Sequence, residues 1–220
     1  MVWLVSKVHL RFQTTQNGRP IPEIPVFFIN LDRRPDRRVL FEQSFGEFGL
    51  AEPIRVAGVE HVNPMIGCSL AHREALNEAK KMDAEMVIIA EDDVVMRCDP
   101  HTLHAAIDEF WMNSRLDVLC IGNRVKGFLF SISDNLAVSN DIQTTSLYAV
   151  KRTALTPLIQ SMEESAEMLA LGLPWSIAAP DTHWKKLQLG KLVFAVPLAR
   201  CATQRAGYSD IAGANVAYRV

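Results

Sequence analysis

The absences in this chain narrow its class. Of 220 residues only four are cysteine (Cys68, Cys98, Cys120, Cys201), they lie far apart, and no CxxC pair occurs. A disulfide framework and a zinc site built on paired thiolates are therefore not expected. Each cysteine reads as a small buried hydrophobe in a reducing cytoplasm. Neither sign of charge is in excess, with 23 basic and 25 acidic residues and a net charge of −2. A nucleic-acid partner would call for a basic excess or stripe, so none is expected. No apolar run reaches the ~18 residues that a membrane span needs. Residues 1–12, MVWLVSKVHLRF, lack the basic start, long apolar stretch and cleavage site of a secretory signal. The expectation is a cytoplasmic protein with at most peripheral contact at the inner face of a membrane. No internal repeat or low-complexity segment is present, and no feature sets the oligomeric state.

What is there is a globular composition, 49% hydrophobic and 22% charged, enough for one domain with a small appendage. Residues 1–24 read as an N-terminal appendage: a candidate strand over 2–12, then a polar, proline-bearing loop. Residues 25–220 read as a single domain. Val26–Asn30 (VFFIN) is a short apolar run of the kind buried on both faces of a sheet. A helix is expected over 36–48, a strand at Ile54–Ala57, a helix over 69–82 opened by Gly67, a strand over 86–90 and a helix at Pro100–Met112. Strands at 117–121 and 144–150 follow, with short strands between them. A helix over 153–171 holds Pro157 in its first turn, where proline is tolerated. A loop over 174–180, a short helix over 181–189, a strand over 193–196 and a tail with little periodicity complete the pattern. Alternating strands and helices argue for an α/β fold with a parallel sheet covered on both faces.

The stretch 86–96, MVIIAEDDVVM, carries the chemistry. An uncharged run meets Glu91, Asp92 and Asp93 before Val94 and Val95 resume it. Buried carboxylates need a partner or a metal, and Asp and Glu are hard oxygen ligands for a divalent cation. Side chains alternate along an extended segment, so Glu91 and Asp93 share a side. They are the expected metal pair, with Asp92 turned toward a ribose or a nearby Arg. In open α/β sheets, ligands bind beyond the carboxyl ends of the strands. Asn30 to Asp32, Gly67 and Glu91 to Asp93 all fall at or near such ends.

Four motifs in order resemble the family-25 glycosyltransferases, the lipooligosaccharide and collagen galactosyltransferases. They are residues 26–38 (VFFINLDRRPDRR), 67–72 (GCSLAH), 89–94 (IAEDDV) and 197–211 (PLARCATQRAGYSDI). The chain departs from the family pattern at Ala71, where a Ser is usual, and at Met65-Ile66, where an acidic residue is common. Its loop between Val56 and Gly67 is short, and residues 1–24 have no counterpart.

The resemblance implies a GT-A-type fold: a Rossmann-like, mostly parallel sheet flanked by helices, with a mixed acceptor-side half. It implies an inverting, metal-dependent transfer of a hexose, galactose above all, from a UDP-sugar donor to a hydroxyl of a glycan acceptor such as lipooligosaccharide. The cofactor would be Mn²⁺ or Mg²⁺, held by Glu91 and Asp93 with Asp210 completing the shell. Asn30, Asp32, Arg33, Arg37 and Asp92 lie where base, ribose or phosphates would bind, an Arg fork being matched to phosphate. Gly67 would offer helix N–H groups to an anion, and His72 would donate to a phosphate or a sugar hydroxyl. Gln204 would close over the donor from the tail. Inversion needs a base to deprotonate the acceptor, and Asp181, after a proline-bearing loop and beside His183 and Trp184, is the candidate. Trp175 or Trp184 would stack on a sugar or fill the core. His101 and His104, three apart on one helix, read as a surface feature. Two alternatives remain open: a metal-dependent hydrolase or nucleotidyltransferase acting on nucleotide-sugars, and a non-catalytic glycan-binding relative.

Overall fold

A computed structural model describes residues 13–14, 20–21, 24–209, 211 and 213–216. The candidate strand over 2–12 and Asp210 lie outside the described residues. Two short strands, β1 (Gln13–Thr14) and β2 (Pro20–Ile21), pair antiparallel.

The main sheet is built from eight strands: β3 (Val26–Asn30), β4 (Ile54–Ala57), β5 (Met86–Glu91), β7 (Val118–Val125), β8 (Phe130–Ser131), β9 (Leu136–Val138), β10 (Ile142–Lys151) and β11 (Phe194–Pro197). Their order is β4-β3-β5-β10-β7-β11-β9-β8. Six of the eight run in one direction, and β10 and β9 oppose them. The expected architecture, a mostly parallel sheet flanked by helices, is therefore present. β4 and β5 lie on opposite sides of β3, which opens a crevice at the carboxyl ends of these strands.

The strands alternate between two cores. Val26, Phe28, Met86 and Ile88 face helices α1 (Pro35–Gly46) and α3 (Pro100–Met112). Phe27, Val87 and Ile89 face α2 (Pro64–Lys81) and α4 (Arg152–Ala170). This explains the unbroken apolar runs: a strand buried on both faces has no polar side. On the first face Phe28, Phe41 and Phe45 stack in series, with ring centroids 4.6 Å apart at each step. Asp99 caps α3 as its sequence signalled, its side chain accepting the Thr102 N–H at 2.9 Å.

Four expectations are corrected. Helix α2 begins at Pro64, not near residue 69, because Asn63 caps it through the Met65 N–H at 3.1 Å and Pro64 takes the tolerated first position. Pro157 lies inside α4, beyond the first turn, since the helix starts at Arg152. Within the expected 174–180 loop, α5 (Trp175–Ala178) forms a turn of helix, and it is followed by α6 (Pro180–His183) and a 3₁₀ turn (Trp184–Gln188). The tail is also structured. After β6 (Val94–Met96), the chain returns much later as β12 (Ala202–Gln204) to pair with it, and β13 (Gly207–Ser209) pairs with β14 (Ala214–Val216). The β6–β12 pairing is non-local, so periodicity within the tail carries no trace of it.

Replacing Phe41, which is fully buried in the middle of the aromatic stack, with alanine should destabilise the protein by about 3–5 kcal/mol. Urea unfolding should show a lower midpoint with an unchanged slope.

Candidate functional site

The acids Glu91, Asp92 and Asp93 occupy the end of β5 and the tight turn into β6. They border a cavity of about 550 Å³ over the carboxyl ends of β3, β4 and β5. Arg33, Arg37, Gly67, His72 and Gln204 line the same cavity. Sequence-distant clusters are thus brought together at one sheet edge. Asn30, Asp32 and Asp181 do not line the cavity.

The three carboxylates have different surroundings. Glu91 Oε1 accepts from the Thr145 hydroxyl at 2.9 Å and lies 3.3 Å from His72 Nε2, while Oε2 accepts from Gln204 Nε2 at 3.3 Å. Burial pushes Glu91 up, but the His72 and Thr145 hydrogen bonds and the Arg37 charge outweigh it and hold the carboxyl below its ordinary value. Asp92 is gripped on both oxygens: Asn30 Nδ2 donates to Oδ2 at 2.7 Å and Arg37 donates to Oδ1 at 3.1 Å. Burial nevertheless raises its pKa.

Asp93 is the least satisfied. Its Oδ1 is buried without a hydrogen-bond partner, and its Oδ2 lies 3.7 Å from Arg37. Burial and the neighbouring Glu91 charge push its pKa up to about 7, against the pull of Arg37. An orphaned buried oxygen calls for a ligand. Two oxygen donors from a rigid strand end, one with an open lone pair, fit a hard divalent cation.

A supporting network surrounds the acids. Asn30 is buried and fully committed: Nδ2 also donates to the Arg34 carbonyl at 2.9 Å, and Oδ1 accepts from Arg55 at 3.0 Å. Asp32 is tied to Arg55 and its side chain is 82% exposed. Arg33 pairs with Glu60 at the cavity rim. Arg37 also donates to the Tyr208 carbonyl at 2.7 Å, holding the tail over the triplet. His72 is buried in α2, with Nδ1 3.3 Å from the Tyr148 hydroxyl. Both its ring nitrogens therefore face protein groups. The Arg205 N–H donates to the Asp93 carbonyl at 2.7 Å and fixes the turn.

Gly67 does not open α2. It sits within the first turn, and its N–H is already given to the Asn63 carbonyl at 3.2 Å, so it offers no free donor to an anion. Its requirement is steric instead: a Cβ there would lie 2.4 Å from the Val59 carbonyl oxygen, on the segment that walls the cavity.

Asp181 lies in α6, with Oδ2 accepting the Thr144 N–H at 3.3 Å. Burial raises its pKa against that hydrogen bond, and the charge of Glu91 adds to the rise. Thr144 has φ +76, rare for a β-branched residue, where the β10–β7 register slips. Its hydroxyl donates to the Gly122 carbonyl at 2.8 Å. Trp184 belongs to the core, fully buried with Nε1 donating to the Ile142 carbonyl at 3.1 Å, whereas Trp175 is 64% exposed. His104 is not a plain surface group, because Nε2 reaches the Phe48 carbonyl at 2.7 Å.

Sequence reasoning missed Arg55, Thr144, Thr145 and Tyr148. The hydroxyl-rich start of β10, Thr144-Thr145-Ser146, is the signal that could have found the threonines. Cys68 is not the buried hydrophobe that its sequence context suggests. It is half-buried and lines the cavity, and burial together with Glu91, Asp181 and Asp93 drives its thiol pKa well up.

No protein-family model matches the chain, and no curated protein matches its sequence. Solved structures with a similar course of the chain include a glycosyltransferase involved in the glycosylation of the major capsid of PBCV-1, with TM-score 0.47 and 12% identity over 76% of this chain and 74% of that one. A CMP:2-keto-3-deoxy-manno-octonic acid synthetase complexed with CTP gives TM-score 0.43 and 11% identity over 79% of this chain and 88% of that one. A mannose-1-phosphate geranyltransferase from Thermus thermophilus gives 0.41 and 11% over 80% of this chain, which spans only 59% of that one. At TM-scores below 0.5, none of these bears on what the chain does.

Two outcomes follow from the site. Gly67→Ala should cost about 1–3 kcal/mol through overpacking against Val59, read as a lower thermal midpoint. The metal-free protein keeps a proton on Asp93 up to about pH 7, whereas the unfolded chain releases it near the ordinary value of 3.8. The folded state therefore binds more protons in that window, and stability falls as pH rises through it. Asp93→Asn should flatten this fall in a series of urea midpoints taken from pH 4 to pH 8.

Proposed function

We propose that the chain is a metal-dependent GT-A-type transferase that moves a hexose from a UDP-sugar to a hydroxyl of a glycan acceptor. The observation that carries this reading is the unpaired, buried Asp93 oxygen beside Glu91, at the carboxyl end of a parallel strand and above a cavity bordered by Arg33 and Arg37. Glu91 and Asp93 would hold Mn²⁺ or Mg²⁺, which supplies neutralisation of the charge gathering on the leaving diphosphate. Asp210 is the further proposed ligand.

The other side chains fall into two groups. Arg33 and Arg37 border the cavity, and a guanidinium fork suits the diphosphate or ribose. Asn30, His72, Gln204 and Asp92 hold the acidic turn, and their contact with donor comes second to that duty. Galactose as the sugar and lipooligosaccharide as the acceptor belong to the same proposal and rest on the motif resemblance alone. So does an inverting course, with Asp181 as the base that takes the acceptor proton. Burial holds its carboxyl above the ordinary value, the direction that favours taking up a proton.

One observation favours a second reading. Asp181 does not line the cavity, and its carboxylate is already bound to the Thr144 N–H. A metal-dependent nucleotidyltransferase or hydrolase acting on nucleotide-sugars would use the same acids and need no acceptor base.

Calorimetric titration with UDP-galactose and UDP-glucose, with and without Mn²⁺, tests the donor. Binding should require the metal and be lost in Asp93→Ala. Asp181→Ala should leave donor affinity unchanged while lowering the transfer rate by about 10²–10⁴-fold. Absence of metal-dependent binding by any UDP-sugar would sink the transfer reading. Release of UMP with a sugar 1-phosphate in place of UDP, or of pyrophosphate when a nucleoside triphosphate and a sugar 1-phosphate are supplied, would select the second one.

A further inference from the structure

Cys68 is the group in the cavity wall that the proposed function leaves without a task. It lies one helical turn before His72 on α2, so the two side chains share a face. Glu91 reaches the same point from the end of β5. The Cys68 Sγ, a His72 ring nitrogen and a Glu91 carboxylate oxygen all lie within 4.8 Å of one another. A thiolate, an imidazole and a carboxylate are a borderline-soft donor set, unlike the all-oxygen pair of Glu91 and Asp93.

We infer that Cys68, His72 and Glu91 form a binding site for a soft divalent cation, zinc in the first place, which shares Glu91 with the oxygen site and so competes with it.

The geometry is close to what such an ion requires. Nitrogen and oxygen ligands about 2.0–2.1 Å from a tetrahedral zinc stand about 3.3 Å apart. His72 Nε2 and Glu91 Oε1 already stand 3.3 Å apart. The thiol has to approach by about 1 Å to complete three ligands at zinc distances, and Cys68 borders open cavity rather than packed core. The second shell is also in place. Tyr148, fully buried, holds His72 Nδ1 through its hydroxyl at 3.3 Å, which turns Nε2 toward Glu91. Thr145 and Gln204 hold the two Glu91 oxygens. Such partners fix ring orientation and raise ligand basicity. All three residues line the cavity, so a fourth ligand would come from there as water or substrate, as in zinc sites that keep one position open.

Zinc binding does not depend on the transferase reading; the competition between the two cations does. Cobalt(II) is the probe for the site itself. Metal-free full-length protein titrated with Co²⁺ should develop a thiolate-to-cobalt charge-transfer band at one equivalent, and Zn²⁺ should bleach it. Cys68→Ser should abolish the band and lower zinc affinity at least about tenfold, since removing even an outer-shell partner costs 10–100-fold. Cys98→Ser should keep it; this control matters because Cys98 and Cys201 are also neighbours. A cobalt spectrum without a thiolate band, or a band that survives Cys68→Ser, would overturn the site. Mn²⁺ that stays bound, by electron paramagnetic resonance, while Zn²⁺ is taken up would overturn the sharing of Glu91.

Discussion

Three adjacent carboxylates on one turn repel each other, and most of the local structure is a response to that. Among the described residues one guanidinium, that of Arg37, touches the group. A single cation cannot satisfy three acids that are largely removed from water. The remainder is met by neutral donors placed one per oxygen: Asn30, Thr145 and Gln204, with His72 behind. These come from β3, β10, the tail and α2. The elements that surround the crevice are therefore coupled through the same few atoms. One oxygen among the described residues of this turn, Asp93 Oδ1, is left over without a hydrogen-bond partner.

The reversal of β10 serves the same end. A parallel strand beside β5 would bring its carboxyl end to the crevice; the antiparallel one brings its early residues instead. Those residues are hydroxyl-bearing, and the slipped register there turns the Thr144 N–H toward Asp181 and its hydroxyl toward Gly122. Irregular backbone of this kind costs energy and persists where neighbours over-determine it. Gly122 is one such neighbour, since a Cβ there would lie 2.5 Å from the Ser146 hydroxyl.

The sequence was most legible where structure is local. Val26–Asn30 and Pro100–Met112 were marked by an unbroken apolar run and by a cap, and the structure places them at those bounds. The acids at the end of β5 were visible for the same reason. Asp92 turned to a nearby Arg was an expectation with a geometric counterpart, because Asn30 and Arg37 claim it. Long-range partners were not legible. Arg55 looked like an ordinary polar residue in a strand until β3 and β4 aligned in register. Gly67 looked like a helix start because glycine has more than one use; its neighbour, the Val59 carbonyl, is known only once the loop is folded. His72 gave no hint that Tyr148, 76 residues away, would hold its second nitrogen.

The return of the tail as β12 has a consequence for synthesis. Gln204 meets Glu91 across 113 residues, and Arg205 steadies Asp93 from the same strand end. A chain made at about 5–20 residues per second carries the acidic turn for roughly 5–20 s before these two residues exist. Throughout that interval the sheet edge β4-β3-β5 can already be paired, yet its turn lacks two of its restraints. These two restraints arrive only just after β11 (Phe194–Pro197), the last strand of the core, so the crevice and the core are completed together. A nascent chain arrested before residue 204 would keep the Asn30, Arg37, His72 and Thr145 partners of the acids and lack those of Gln204 and Arg205.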